Sequence, residues 1–121
     1  MYELSIEREF CAAHAIVMRG EREPVHGHNW RVTVIVAGET LDGDGLLCDF
    51  HEIERTLDTI LAPWQNANLN ESEPFEKINP TAELIAREIG ERIRGTLPDG
   101  VRLVGASVTE APGCRATYRP A

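Results

Sequence analysis

Apolar and polar residues alternate over residues 2–10. Tyr2, Leu4, Ile6 and Phe10 fall on one face, and Glu3, Ser5, Glu7 and Glu9 on the other. A period of two marks a half-buried strand, and only Arg8 interrupts its apolar face. Residues 28–38 repeat the pattern, with Trp30, Val32, Val34 and Val36 opposite Asn29, Arg31 and Thr33. Residues 15–25 carry Gly20 and Pro24 and no clear period, which predicts a loop. The run Asp42-Gly43-Asp44-Gly45 is turn chemistry.

The period then changes to that of a helix. Phe50, Ile53, Leu57, Ile60 and Leu61 form an apolar stripe, Asp49 is the expected N-cap with Glu52 as its capping-box partner, and Pro63 stops the run. Residues 64–79 are polar and irregular. Asn79-Pro80 predicts a second helix, a cap followed by proline at the first helical position. Its stripe is Ala82, Ile85, Ala86, Ile89 and Ile93, and Gly95 with Pro98 ends it. Residues 101–110 and 115–119 read as a hairpin that turns at Ala111-Pro112-Gly113. The order β-β-α-α-β-β predicts an α+β fold, an antiparallel sheet with two helices on one face. Four strands leave two open edges, so a symmetric oligomer is expected.

Composition narrows the partners. The 121 residues make one domain, 1–121, and apolar residues at 42% are ordinary for a globular chain. A net charge of −8 without any basic cluster argues against nucleic acid and against anionic membrane as partners. A small anionic ligand stays open, since a local metal or arginine overrules the global charge. Cys11, Cys48 and Cys114 are odd in number and widely spaced, so reduced thiols in a cytoplasmic protein are expected. No signal peptide and no apolar run near 18 residues is visible.

The chemistry concentrates in the histidines. His26 and His28 stand two apart where the loop enters the second strand, and alternate side chains of a strand share a face. Gly27 between them is expected to leave room. His14, at the end of the first apolar segment, can join them from a neighbouring strand. Three neutral imidazoles leave one position of a zinc ion open, which is the catalytic pattern. Such an ion polarises substrate hydroxyls or lowers the pKa of bound water to about 7. Spacing alone fits three unrelated histidines about as well. His51 is assigned to a solvated helix face. Cys11 could come near the metal, but a small core residue is the simpler reading.

Six segments together resemble one family. They are Phe10-Cys11-Ala12-Ala13-His14, His26-Gly27-His28-Asn29-Trp30, Cys48-Asp49-Phe50, Asn79-Pro80-Thr81-Ala82-Glu83, Val108-Thr109-Glu110 and Ala116-Thr117-Tyr118. In this order, spanning nearly the whole chain, they resemble the 6-pyruvoyltetrahydropterin synthase / 6-carboxytetrahydropterin synthase family. The resemblance implies the tunnelling fold, with trimer barrels stacked as a homohexamer. It implies a lyase of pterin metabolism with zinc on His14, His26 and His28. It also implies a pterin site containing Glu110, Thr109 and Thr81, with Glu110 as the ring anchor. A carboxylate offers two acceptors to a guanidine-like ring edge, a bidentate and selective pairing.

The chain departs from the family pattern in three places. The usual catalytic cysteine position holds Arg22, and the usual Asp-His dyad aligns with Gln65 and Asn66. Neither amide titrates near neutral pH, so this pair cannot relay a proton. Glu23, three residues before His26, makes the segment resemble the third-type branch, in which glutamate replaces the cysteine. That branch implies cleavage of the side chain of 7,8-dihydroneopterin triphosphate to 6-hydroxymethyl-7,8-dihydropterin, with Glu23 as general base; a solvated loop carboxylate is the plainer reading of the same residue. Two other functions stay open. One is the ordinary pyruvoyl- or carboxy-forming reaction through another proton relay. The other is a hexameric pterin-binding protein without synthase activity.

Overall fold

The computed structural model describes residues 1–121. In chain order the elements are β1 (Tyr2–His14), β2 (Val17–Met18), β3 (Glu21–Arg22), β4 (His26–Gly38), α1 (Phe50–Leu61), β5 (Ala67–Asn68), α2 (Ala82–Arg94), β6 (Arg102–Ala111) and β7 (Cys114–Tyr118). Two 3-10 turns, Ala62–Trp64 and Leu69–Glu71, flank β5. The sheet order is β5-β1-β4-β6-β7. The four long strands are antiparallel, as their alternation predicts, but β5 runs parallel to β1, so the sheet is mixed.

The two alternating segments pair over their full length, from Tyr2 opposite Gly38 to His14 opposite His26. Ile6, Phe10 and Ala12 of β1, Trp30, Val32, Val34 and Val36 of β4, and Leu103, Ala106 and Val108 of β6 share the buried face. Ile53, Leu57, Ile60 and Leu61 of α1 and Ile85, Ala86, Ile89 and Ile93 of α2 cover it. Arg8, the break in the pattern, lies under α1, where its guanidinium reaches Asp58 at 2.7 Å and Glu54 at 2.9 Å. These contacts hold the Arg8 pKa above its ordinary value, chiefly through the hydrogen bond to Asp58. Gly90 lets α2 approach the sheet; a Cβ there would stand 2.9 Å from the Tyr118 ring.

Several local expectations change. Residues 15–25 hold a small β2–β3 hairpin, turned by Arg19 and Gly20 at φ 52° and 82°. Asp49 does cap α1, but its carboxylate accepts from the His51 N–H, and Phe50 is exposed rather than in the stripe. The α2 cap is Thr81, whose hydroxyl accepts from the Leu84 N–H, so Asn79 and Pro80 precede the helix. The polar stretch after α1 still anchors three large side chains, Trp64, Leu69 and Phe75, in the core. The last hairpin turns at Pro112-Gly113, with Gly113 at φ 84°, as a Pro-Gly type II turn requires. No helix is long and apolar enough to cross a membrane.

Candidate active site

The β1–β4 register alone gathers the three histidines. His14 faces His26 directly, and His28 lies opposite Ala12, one step further along the same face. Ring centroids stand 4.7–5.2 Å apart. Trp30 is their floor, edge-on to His14 and His28 at 4.9 and 5.2 Å, with its indole N–H bonded to the Ala12 carbonyl. Exposure rises from 1% at His14 to 21% at His28 and 40% at His26, so the cluster opens on the His26 side.

Backbone carbonyls orient two of the rings. His14 Nδ1 is 2.8 Å from the Pro80 carbonyl oxygen, and His26 Nδ1 is 2.9 Å from that of Pro24. A carbonyl only accepts, so each Nδ1 carries the proton and each Nε2 presents a lone pair. Burial favours the neutral His28 ring and holds its pKa below the ordinary value, against the opposing pull of Glu110. Glu110, brought to the same face by the β6 strand where its pairing with β7 shifts register, lies 2.9 Å from His14 Nε2 and 3.4 Å from His28 Nε2. Those contacts are close but lack hydrogen-bond geometry, and both Nε2 atoms are buried without a partner. Lone pairs converging on a carboxylate form a donor set that a bound cation would satisfy. The donor atoms of His14, His26, His28 and Glu110 all lie within 4.8 Å of one another. The donor set fits a zinc-type ion.

Glu23 stands at the open side. Its Oε1 is 3.7 Å from His26 Nε2 and accepts the Ile16 N–H at 3.1 Å. It lies in the three-residue link between β3 and β4, where periodicity gives no signal and only the local motif points to it.

The remaining predicted residues separate. Thr81 spends its hydroxyl as the α2 cap. Thr109 pairs with Arg31 and Arg115, and alternation directs it to the face away from the histidines. Gln65 Oε1 accepts the Cys11 N–H at 3.0 Å and the Asn66 backbone N–H donates to the Cys11 carbonyl, so the Gln65 side chain braces β1 and Asn66 joins it through its backbone. Cys11 is exposed on the opposite face, neither core nor metal neighbour. His51 is exposed on α1 and paired with Glu54. Gly27 is not needed for room, since a Cβ there would meet only the Ala12 carbonyl at 4.0 Å. Asn70 and Asn79, the latter expected to cap α2, instead brace the segment after His14.

A mixed sheet backed by two helices, with three imidazoles and a carboxylate converging at one end, defines a small α+β protein with a metal-type pocket. The model of the family described as 6-pyruvoyl tetrahydropterin synthase matches residues 3–121, and the chain belongs to that family of pterin enzymes. It is 38% identical over 101 residues to the dihydroneopterin monophosphate aldolase of Pyrococcus furiosus, covering 84% of this chain and 82% of that one. To the 6-carboxy-5,6,7,8-tetrahydropterin synthase of Bacillus subtilis it is 30% identical over 128 residues, covering 98% and 86%. The structure of 6-pyruvoyl tetrahydropterin synthase from Caenorhabditis elegans superposes with a TM-score of 0.82 at 22% identity, covering 100% of this chain and 98% of that one.

Proposed function

We propose that the protein is a zinc-dependent lyase that cleaves the side chain of a phosphorylated 7,8-dihydroneopterin, releasing 6-hydroxymethyl-7,8-dihydropterin, with Glu23 as general base. The observation that carries this reading is the Glu23 carboxylate 3.7 Å from His26 Nε2, at the open side of the three-imidazole cluster. The monophosphate is the first substrate to test, because the Pyrococcus relative is named for it; the triphosphate is the second.

His14, His26 and His28 would hold the ion through Nε2. Bound there, zinc supplies Lewis acidity toward substrate hydroxyls. Glu110 is assigned to the pterin ring, since three imidazoles suffice for the ion and leave a position open. Its carboxylate also borders a groove of about 360 Å³ lined by Glu83, Cys114, Arg115 and Thr117. Glu23 accepts the proton of the hydroxyl carried by the breaking C–C bond's own far carbon, the one away from the ring. That oxygen becomes the carbonyl of the departing aldehyde. The C–C electron pair passes into the conjugated ring C=N and is then protonated at the carbon attached to the ring. The Ile16 N–H on Oε1 holds the carboxylate in place and leaves Oε2 for the proton.

The ordinary synthase reactions find less support. Arg22 is exposed on β3, the Gln65 side chain is committed to the Cys11 N–H, and neither Gln65 nor Asn66 carries a group that relays a proton near neutral pH. The assembly that accompanies this reading is a hexamer of two stacked trimers, joined through β7 and the part of the β1 edge that the short β5 leaves unpaired; sedimentation measures it. The activity is tested by incubating zinc-loaded protein with each dihydroneopterin phosphate and identifying the pterin by mass. Formation of hydroxymethyldihydropterin that falls at least about a hundredfold in Glu23→Ala is the expected result. A pyruvoyl or carboxy product, or bound substrate left unchanged, would overturn it.

A further inference from the structure

Residues 15–17 follow His14 directly, and all six of their backbone polar groups are engaged by only three residues. Asn70 takes both groups of Ala15: its Oδ1 accepts the N–H at 2.8 Å and its Nδ2 donates to the carbonyl at 2.8 Å. Asn79 does the same for Val17, at 2.9 Å and 2.9 Å. Glu23 takes both groups of Ile16, its backbone N–H donating to the carbonyl at 3.0 Å and its Oε1 accepting the N–H at 3.1 Å. Groups of residues 15 and 17 point to one edge of an extended chain, and those of 16 to the other. Two carboxamides therefore stand in for a neighbouring strand on one edge, and Glu23 closes the other.

The peptide planes make this arrangement a chain of command. The plane joining Ala15 to Ile16 carries the Ala15 carbonyl, gripped by Asn70, and the Ile16 N–H, gripped by the Glu23 carboxylate. The plane joining Ile16 to Val17 carries the Ile16 carbonyl, which receives the Glu23 backbone N–H, and the Val17 N–H, gripped by Asn79. Peptide units are rigid, so fixing one end aims the other. We propose that Asn70 and Asn79 are positioning residues for Glu23: Asn70 aims its carboxylate, and Asn79 fixes its backbone. The proposal rests on the reading of Glu23 as the base. Asn70 carries more of the effect, because its bonds are part-buried while those of Asn79 are exposed.

A double-mutant cycle with zinc-loaded protein and dihydroneopterin monophosphate tests the coupling. Asn70→Ala is expected to lower kcat about tenfold, with KM and zinc content unchanged. In a Glu23→Ala background, adding Asn70→Ala is expected to change kcat no further. The same factor in both backgrounds would make Asn70 a general scaffold residue and overturn the proposal. If Glu23→Ala leaves kcat untouched, the base assignment fails instead, and the clamp is judged by amide hydrogen exchange. Ile16 is expected to exchange about tenfold faster in Asn70→Ala, with Val34 unchanged. An unchanged Ile16 rate overturns the clamp, whether or not turnover is seen.

Discussion

The two ends of the β1–β4 ladder share one register and one face, yet they hold opposite kinds of residue. Toward the middle, Ile6, Phe10, Val32 and Val34 bury carbon against α1 and α2, and packing satisfies them. At the far end the same positions are His14, His26 and His28, and burial leaves two ring nitrogens without a partner. Trp30 is the border, stacked on Phe10 at 6.0 Å on one side and edge-on to two imidazoles on the other. The site is thus made by exchanging residue types within a continuous strand pair, with no special loop for the ligands themselves. Glu110 joins them from β6, and Glu23, the residue assigned to the chemistry, from the segment between β3 and β4.

Removing the border is expected to have the largest effect. Trp30→Ala takes away a fully buried indole and should cost about 3–5 kcal/mol in urea unfolding, with zinc binding weakened as its floor is lost. The two ends then separate under milder changes. Leu57→Ala should cost about 2–5 kcal/mol yet leave zinc binding of the folded protein intact. His28→Ala should do the reverse, abolishing zinc binding while the metal-free protein stays within about 1 kcal/mol of its original stability. If metal-free stability instead collapses in His28→Ala, the histidine end is part of the packing core after all.

A smaller effect is expected at Thr81. With its hydroxyl spent on the Leu84 N–H, Thr81→Ala should lower stability by about 1 kcal/mol and leave KM for the pterin unchanged. A rise in KM without a stability change would return Thr81 to the substrate. The smallest effect lies at Arg8. Hydrogen bonds from His51 and then Arg8 hold the Glu54 carboxyl below its ordinary value of 4.5. A carboxyl depressed in the folded state contributes stability above its unfolded pKa and loses it as pH falls through the folded one. Arg8→Met should therefore flatten the stability profile below about pH 4.5, measured by melting temperature.

Much of this was legible in the chain. The period-two runs gave both long strands, and the stripes gave both helices, because burial on one face leaves a sequence trace. The histidine triad was legible as a motif, but its convergence depends on the pairing of His14 with His26, which spacing alone does not determine. Long-range polar contacts left no such trace. Arg8 looked like a flaw in an apolar face because its partners, Glu54 and Asp58, lie some fifty residues away on α1. Asn70 and Asn79 sat in a segment that composition marks only as irregular, since a side-chain amide standing in for a strand has no periodicity. The α2 start was misplaced by two residues because Asn79 and Thr81 are both good caps, and Asn79 was already engaged with Val17.

The separation of roles, imidazoles for the ion and Glu23 for the proton, is tested most directly in Glu23→Gln. That amide can still accept the Ile16 N–H through its oxygen but cannot take a proton. Zinc content and hydroxymethyldihydropterin formation are measured on the same preparation. The expected result is zinc retained at the wild-type level with product formation reduced at least about a hundredfold. Undiminished product, or zinc lost together with activity, would contradict it.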